Sequence, residues 1–132
     1  MNPRYMIFSL LMLVAAAPRA NDLETILKIY ESNGAGPFSH QRGAEQWQRV
    51  VFQADKGKTR SCGDCHGADL KKPGRHAKTG KRIEPMAPSV NPQRLTDIKK
   101  VEKWFKRNCK WTWGRACTDQ EKGDLLLYLQ QH

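Results

Sequence analysis

The chain has 132 residues, a formal net charge of +10 and four cysteines. This length suffices for one small domain and excludes the large apolar core that stabilises bigger proteins. A domain of this size usually needs a disulfide, a metal or a cofactor as a further source of stability.

The first twenty residues predict a secretory signal peptide. Arg4 precedes an almost wholly apolar run over residues 7–17, and the small residue Ala20 ends the segment. The run is about 11 residues long, whereas a membrane-spanning helix needs about 20. We therefore expect residues 1–20 to be removed and residues 21–132 to form an exported domain, with an uncleaved membrane anchor as the alternative.

Two helices are predicted in the first part of this domain. Apolar residues recur at i, i+3, i+4 and i+7 over Asp22–Asn33, which defines one face of an α-helix. A second helix is expected over residues 44–52, with Trp47, Val50 and Val51 facing inward.

The second part of the domain predicts an irregular segment followed by two more helices. Residues 55–92 are rich in glycine, proline and charge, which is typical of loops and tight turns. A helix is predicted over Thr96–Asn108, with Trp104 among its apolar residues. Thr118 and Glu121 have the spacing of a capping box at the start of the last helix. No stretch shows the apolar/polar alternation of a strand, so an all-α fold is predicted.

The motif Cys62-Gly63-Asp64-Cys65-His66 is the strongest chemical signal in the sequence. On one helical turn Cys62 and Cys65 lie on the same face, where each can form a thioether with a haem vinyl group. A thioredoxin-like pair would need a βαβ context, and a zinc site would need two further ligands at matching spacing; neither pattern is present. We predict one covalently bound haem c, His66 as its proximal ligand, and a small monohaem cytochrome c fold of short helices packed around it.

The sequence gives less direct evidence for the ligand on the other side of the iron. Met86 is the only methionine outside the predicted signal peptide, and methionine is a usual sixth ligand in cytochromes c. Because Met86 follows His66 so closely, packing favours an apolar contact with the haem, with iron ligation as the alternative. His40, His76 and His132 are better explained as surface histidines.

Several segments in the second half of the chain carry a family resemblance. They read G-K-R-I-E-P-M-A-P-S at 80–89, N-P at 91–92, E-K-W-F-K-R-N-C at 102–109, R-A-C-T at 115–118 and E-K-G-D at 121–124. Together they resemble the oxygen-binding cytochromes c called SHP, or sphaeroides haem proteins. The resemblance is strong from Cys62 to Leu129 and weaker over the N-terminal helices.

This resemblance implies a specific set of site residues. In the family the sixth ligand is the side-chain amide of the asparagine in the Arg-Asn-Cys motif, which corresponds to Asn108. The family's disulfide beside that asparagine corresponds to Cys109 and Cys117. Such a bridge would stabilise the fold by roughly 2–3 kcal/mol; it would either preorganise the return of Asn108 to the iron or act as a structural staple only. The resemblance also implies a dihaem cytochrome c as electron donor.

The chemistry of an amide ligand separates two functions. An amide oxygen is a hard, weak donor that suits ferric iron better than ferrous iron. Reduction should therefore release Asn108 and open the iron to diatomic gases such as O₂, NO and CO. With Met86 on the iron, the protein would instead be a conventional electron carrier. Catalytic turnover of a bound gas or of peroxide is a third alternative, and we do not expect it to be the main role.

The positive charge is concentrated around the haem motif. Residues 56–82 contain nine lysines and arginines and two acidic residues, a net charge of +7. This distribution predicts an acidic redox partner that is attracted electrostatically. We expect a monomeric periplasmic protein that neither binds nucleic acid nor inserts into the membrane once the signal peptide is removed.

Overall fold

The structure, a computed structural model, describes residues 22–132, so the predicted signal peptide lies outside the described residues. Within 22–132 the chain forms five α-helices and two small antiparallel sheets. The helices are α1 (Asp22–Ser32), α2 (His40–Gln48), α3 (Gly63–His66), α4 (Ile98–Trp113) and α5 (Asp119–Gln130), and the strands are β1 (Val51–Gln53), β2 (Lys58–Arg60), β3 (Gly74–Arg75) and β4 (Arg82–Ile83). No helix in this part of the chain is both long and apolar enough to cross a membrane.

Helix α1 forms as its apolar periodicity predicts. Leu23, Ile26 and Tyr30 are buried on one face, where they pack with Leu126 of α5. The Tyr30 hydroxyl donates a hydrogen bond to Glu102 on α4. The apolar cluster of Leu23, Ile26, Tyr30 and Leu126, with the Tyr30–Glu102 hydrogen bond, therefore joins the first helix to the last two.

Helix α2 begins and ends four residues earlier than the predicted range 44–52. Ser39 caps its first turn by accepting a hydrogen bond from the Arg42 amide, a stabilising start signal that the prediction overlooked. Trp47 is buried as expected, but Val50 follows the helix end and is 65% exposed. The β-branched pair Val50-Val51 favours extended backbone, and Val51 opens strand β1.

Helices α2 and α5 form the closest helix pair of the fold. A Cβ on Gly43 would lie 2.1 Å from the Asp124 carbonyl oxygen, so the backbones touch there. The fully buried Asp124 carboxylate accepts hydrogen bonds from Arg42 Nε at 2.9 Å and Nη2 at 2.8 Å. This contact brings Trp47 of α2 and Tyr128 of α5 together, with ring centroids 6.0 Å apart.

The expectation of no strands is wrong for residues 51–83, which contain four short strands. Strand β1 pairs with β2 over three residues, and β3 pairs with β4 over two. Ladders this short carry no alternating pattern to detect. Gly57, with φ of 58°, turns the chain between β1 and β2, where a side chain would be strained.

Helix α4 runs to Trp113, beyond the predicted end at Asn108. Asp97 caps its start by accepting from the Lys100 amide at 3.0 Å, and the left-handed residue Gly114 ends it. Asn108 is therefore inside the helix. Trp104 is 48% exposed and does not belong to the buried face.

Helix α5 begins with the predicted capping box. Thr118 accepts from the Glu121 amide at 3.2 Å, and the Glu121 carboxylate accepts from the Thr118 amide at 2.9 Å. Leu125 and Leu129 pack in the main apolar cluster. Its other buried members are Trp47, Leu70, Ala87, Cys109, Trp113 and Cys117. The predominance of helices confirms the all-α prediction, with two minor sheets as an addition.

Candidate haem-binding site

The C-x-x-C-H motif folds as the short helix α3, preceded by Cys62. Asp64 organises its start, because its carboxylate accepts from the Ser61 amide at 2.8 Å and the Ser61 hydroxyl at 2.9 Å. The His66 amide donates to the Cys62 carbonyl at 3.2 Å, which closes one helical turn. The local sequence thus places Cys65 and His66 in the turn that the motif predicts.

Both motif cysteines are free and half-buried. Cys62 packs against the main apolar cluster, and burial raises the pKa of its thiol to about 11. Cys65 Sγ accepts a hydrogen bond from the Ala77 amide at 3.3 Å. The two thiols thus lie on one helical turn, and neither is taken up by a disulfide.

The β3–β4 hairpin lies directly behind this turn. A Cβ on Gly74 would be 2.0 Å from the Cys65 carbonyl oxygen and 2.8 Å from His66 Cα. Only glycine permits this approach. The prediction treated this region as loop and overlooked Gly74, whose only sequence signal is the Pro73-Gly74 turn pair.

His66 has a buried ring nitrogen without a partner. Its Nδ1 makes no hydrogen bond within residues 22–132, and the ring lies 5.3 Å from the Trp47 ring. Burial, with a smaller contribution from the positive charge of Arg94, lowers the pKa of His66 to about 4. The imidazole is therefore neutral, the form that binds a metal ion.

Beside the turn is an open cleft of about 410 Å³. It is lined by Trp47, Gln48, Ser61, Gly63, Gly67, Ala68 and Tyr128. The two aromatic residues come from α2 and α5, so the close pairing of those helices shapes one wall. Sequence reasoning placed Trp47 in the interior but did not connect it or Tyr128 with the site.

Met86 lies against the same apolar cluster as Cys62. The Met86 and Ala87 amides both donate to the Leu70 carbonyl at 3.0 Å, and Arg94 Nε donates to the Pro85 carbonyl at 2.8 Å. These bonds fix the backbone on both sides of Met86. Its packing against that cluster is compatible with an apolar haem contact.

Asn108 is exposed on α4, and its carboxamide has no hydrogen-bond partner among the described residues. The next residue, Cys109, is buried and joined by a disulfide to Cys117, with the two Cα atoms 5.6 Å apart. Trp113 packs in the same cluster as the two cysteines. Because Cys109 and Cys117 are bonded to each other, they are not available as the second half of a zinc site.

Of the other three histidines, His76 and His132 have local contacts. His76 Nδ1 accepts from the amides of Lys78 at 3.3 Å and Thr79 at 3.2 Å, which stabilises the turn between β3 and β4. His132 packs edge-on against Tyr128, with ring centroids 4.8 Å apart. His40 is the exposed first residue of α2.

Comparisons with known proteins identify relatives over nearly the whole chain. A family model described as "Domain of unknown function (DUF1924)" matches residues 33–129. The chain is 38% identical over 130 residues to cytochrome c-type protein SHP of Cereibacter sphaeroides, covering 96% of each. It is 40% identical over 78 residues to cytochrome c'' of Methylophilus methylotrophus, covering 59% of this chain and 54% of that protein.

Solved structures agree with these sequence matches. The structure of oxidised SHP, described as an oxygen-binding cytochrome c, superposes with a TM-score of 0.74 at 38% identity, covering 85% of this chain and 98% of that one. Oxidised cytochrome c'' superposes with a TM-score of 0.70 at 32% identity, covering 82% and 92%. The chain belongs to the SHP family of c-type cytochromes. As an SHP-type cytochrome it carries one covalently bound haem c.

The described residues fit this haem. Cys62 and Cys65 would hold it through thioethers, and His66 would supply a neutral nitrogen to the iron. An unpartnered buried nitrogen costs about 1–3 kcal/mol, and residues 22–132 leave Nδ1 of this imidazole without a partner. Among the described residues, His66 Nδ1 donates to no backbone carbonyl, that of Pro73 included.

Proposed function

We propose that this SHP-type cytochrome is a periplasmic protein whose Asn108 binds the oxidised haem iron and detaches on reduction, which opens a position for a diatomic ligand. The haem supplies the redox change and the iron that binds O₂, NO or CO. The polypeptide supplies His66 on one side and a weak, removable amide on the other.

The observation that carries this proposal is the state of Asn108. Its carboxamide is unpaired among residues 22–132 and stands on a helix whose next residue, Cys109, is anchored in the core. An amide free of protein hydrogen bonds loses none when it binds or leaves a metal ion. The related proteins support the idea, since one is described as oxygen-binding and a solution structure of cytochrome c'' as giving insight into haem-ligand detachment.

The surface charge supports delivery of the electron by an acidic protein. Of the nine basic residues in 56–82, all but Arg60 are exposed, and they surround the C-x-x-C-H turn in sequence. A dihaem cytochrome c with an acidic surface is the donor that we infer from the family resemblance. Opposite charges would raise the association rate more than the affinity.

A conventional electron carrier with Met86 on the iron is the second candidate. It is favoured by the position of Met86 against the same cluster as Cys62. In such a protein the sixth position would stay filled in both oxidation states. Added CO would then leave the spectrum of the reduced protein unchanged.

Substitution of each candidate ligand tests the two functions. We expect Asn108→Ala to change the axial coordination of the ferric protein, seen in its absorption and electron paramagnetic resonance spectra, because the amide oxygen is gone. Met86→Leu is the matched control and should leave both spectra unchanged. The reduced wild type should bind CO. An unaltered ferric spectrum in Asn108→Ala, together with an altered one in Met86→Leu, would reverse the assignment.

A further inference from the structure

The last turn of α4 ends on carbonyl groups that the helix itself does not satisfy. Gln53 Nε2 donates to the Trp111 carbonyl at 2.6 Å and to the Thr112 carbonyl at 3.0 Å. Arg60 Nη1 donates to the Trp111 carbonyl at 3.0 Å. Both donors come from the β1–β2 hairpin, so a separate element caps the end of this helix.

The cap also includes a stacking contact, and both polar atoms of the Gln53 side chain have hydrogen-bond partners. The Arg60 guanidinium lies 4.0 Å from the centre of the Trp111 ring, within range for a cation–π interaction. Gln53 is 5% exposed, and its Oε1 accepts from Lys56 Nζ at 3.0 Å. A positive charge at a helix C-terminus is favourable because of the helix dipole.

This cap connects the two sides of the haem site. Arg60 ends strand β2 and precedes Cys62, which is a haem attachment point, by two residues. Trp111 follows Asn108 by three residues, one helical turn further along α4. A movement of the end of α4 away from the attachment turn would therefore break the bonds of both Gln53 and Arg60.

We propose that Gln53 and Arg60 are positioning residues for Asn108. They hold the last turn of α4 at a fixed distance from the haem attachment turn, so that Asn108 leaves and returns by side-chain rotation while the helix stays in place. This inference rests on the proposed role of Asn108 as a redox-labile ligand. A helix cap that acted only on stability would have no effect on competition for the iron.

Azide binding to the oxidised holoprotein measures that competition. Azide and Asn108 compete for the same position, so any loss of Asn108 positioning should tighten azide binding. We expect Arg60→Met and Gln53→Leu each to raise azide affinity by about fivefold, the equilibrium equivalent of one net hydrogen bond. Arg60→Lys, which keeps the charge but loses the planar stacking group, should show a smaller rise in the same direction and serves if the other variants fail to fold.

Two controls separate positioning from general destabilisation. Asp97→Ala removes the cap at the opposite end of α4 and should lower stability with azide affinity unchanged. In an Asn108→Ala background, Arg60→Met should have no further effect on azide affinity. Hydrogen exchange of the amides at 110–114 should accelerate in Arg60→Met and Gln53→Leu but not in Asp97→Ala.

The outcomes distinguish this inference from the proposed function. If Asn108→Ala tightens azide binding but the Gln53 and Arg60 variants match the wild type, positioning by the hairpin is wrong and the role of Asn108 stands. An effect of Arg60→Met that persists without Asn108 also overturns positioning. If Asn108→Ala itself leaves azide binding unchanged, the proposed function fails and the positioning role fails with it.

Discussion

Individual side chains decide the chemistry of the site through burial. His66 is neutral because its environment disfavours the charged ring and Arg94 adds to that effect. Cys62 keeps its proton for the same reason, since burial raises the pKa of its thiol. Asn108 is the opposite case, an exposed amide with no hydrogen-bond partner among residues 22–132, next to the buried Cys109. Under the proposed function, these contrasts suit His66 as the strong axial ligand and Asn108 as the removable one.

Glu121 gives a prediction at this scale. Its pKa is lowered to about 2, because Arg115 donates hydrogen bonds to its carboxylate, with the Thr118 amide and the charge of Arg49 contributing. A carboxylate whose pKa falls on folding stabilises the fold above its unfolded pKa, and this contribution disappears as pH falls toward the folded pKa. We expect Glu121→Gln to lower the free energy of unfolding by about 1–2 kcal/mol near neutral pH.

Denaturant titrations at several pH values would check this expectation. The difference between wild type and Glu121→Gln should shrink steadily as pH falls from 4.5 toward 2, the two pKa values of this carboxyl. Glu84→Gln is the control, since Glu84 forms an exposed pair with Arg82 that should contribute less than about 0.5 kcal/mol. A Glu121→Gln effect that is independent of pH would show that the ion pair does not stabilise the fold.

At the scale of elements, short pieces of chain are held against the C-x-x-C-H turn. The β3–β4 hairpin touches its backbone through Gly74, while Trp47 of α2 contacts His66. Hairpin β1–β2 directly precedes the turn in the sequence and donates hydrogen bonds to carbonyl groups at the end of α4. The turn is therefore supported by elements that precede it and follow it in the sequence.

Gly74→Ala tests this support. The added methyl would overlap the Cys65 carbonyl and push the hairpin from the turn, so we expect a loss of about 1–3 kcal/mol in stability and a lower haem-loaded fraction. Gly63→Ala lies in the motif itself, but its nearest contact would be Ser61 Oγ at 3.7 Å. We therefore expect Gly63→Ala to load haem normally. The haem-to-protein ratio after export, with thermal unfolding, measures both; equal behaviour of the two variants would argue against the hairpin contact.

At the scale of the whole molecule, charge is distributed unevenly. The segment 56–82 carries a net charge of +7 within a chain of +10. Lys78 and Lys81 extend this charge onto the β3–β4 hairpin, and both are exposed. Such a field accelerates encounters with an oppositely charged protein and is screened by salt.

Reduction kinetics with charged probes would test this field. We expect an anionic flavin semiquinone to reduce the protein more slowly as salt is added, and a neutral flavin semiquinone to show no such trend. Lys78→Glu combined with Lys81→Glu should slow the anionic probe by about tenfold at low salt. Lys99→Glu combined with Lys103→Glu, on α4 and outside the segment, is the control, because both lysines are exposed and the same number of charges is reversed. Equal slowing by both charge reversals would mean that net charge matters and the location of the charge does not.

Local patterns in the sequence were enough to predict the helical class and the α5 cap, because each depends on residues within one or two helical turns. The same kind of local pattern carries the prediction of Cys62 and Cys65 as haem attachment residues. The resemblance to the SHP family added Asn108 and the Cys109–Cys117 pairing. Local patterns misplaced α2. The prediction extended the helix over the apolar residues up to 52, whereas the Ser39 cap starts it at His40 and the residues from Val51 onward form strand β1. Local patterns also ended α4 too early.

Only the tertiary structure decided which distant residues surround the haem motif. Gly74 approaches Cys65 across nine positions of chain, and Trp47 contacts His66 across nineteen. The hydrogen bonds from Gln53 and Arg60 to the Trp111 carbonyl span 58 and 51 positions. Periodicity and spacing describe one element at a time, so they carry no information on how two elements approach each other. That information comes from packing, where excluded volume and the pairing of buried polar groups select one arrangement.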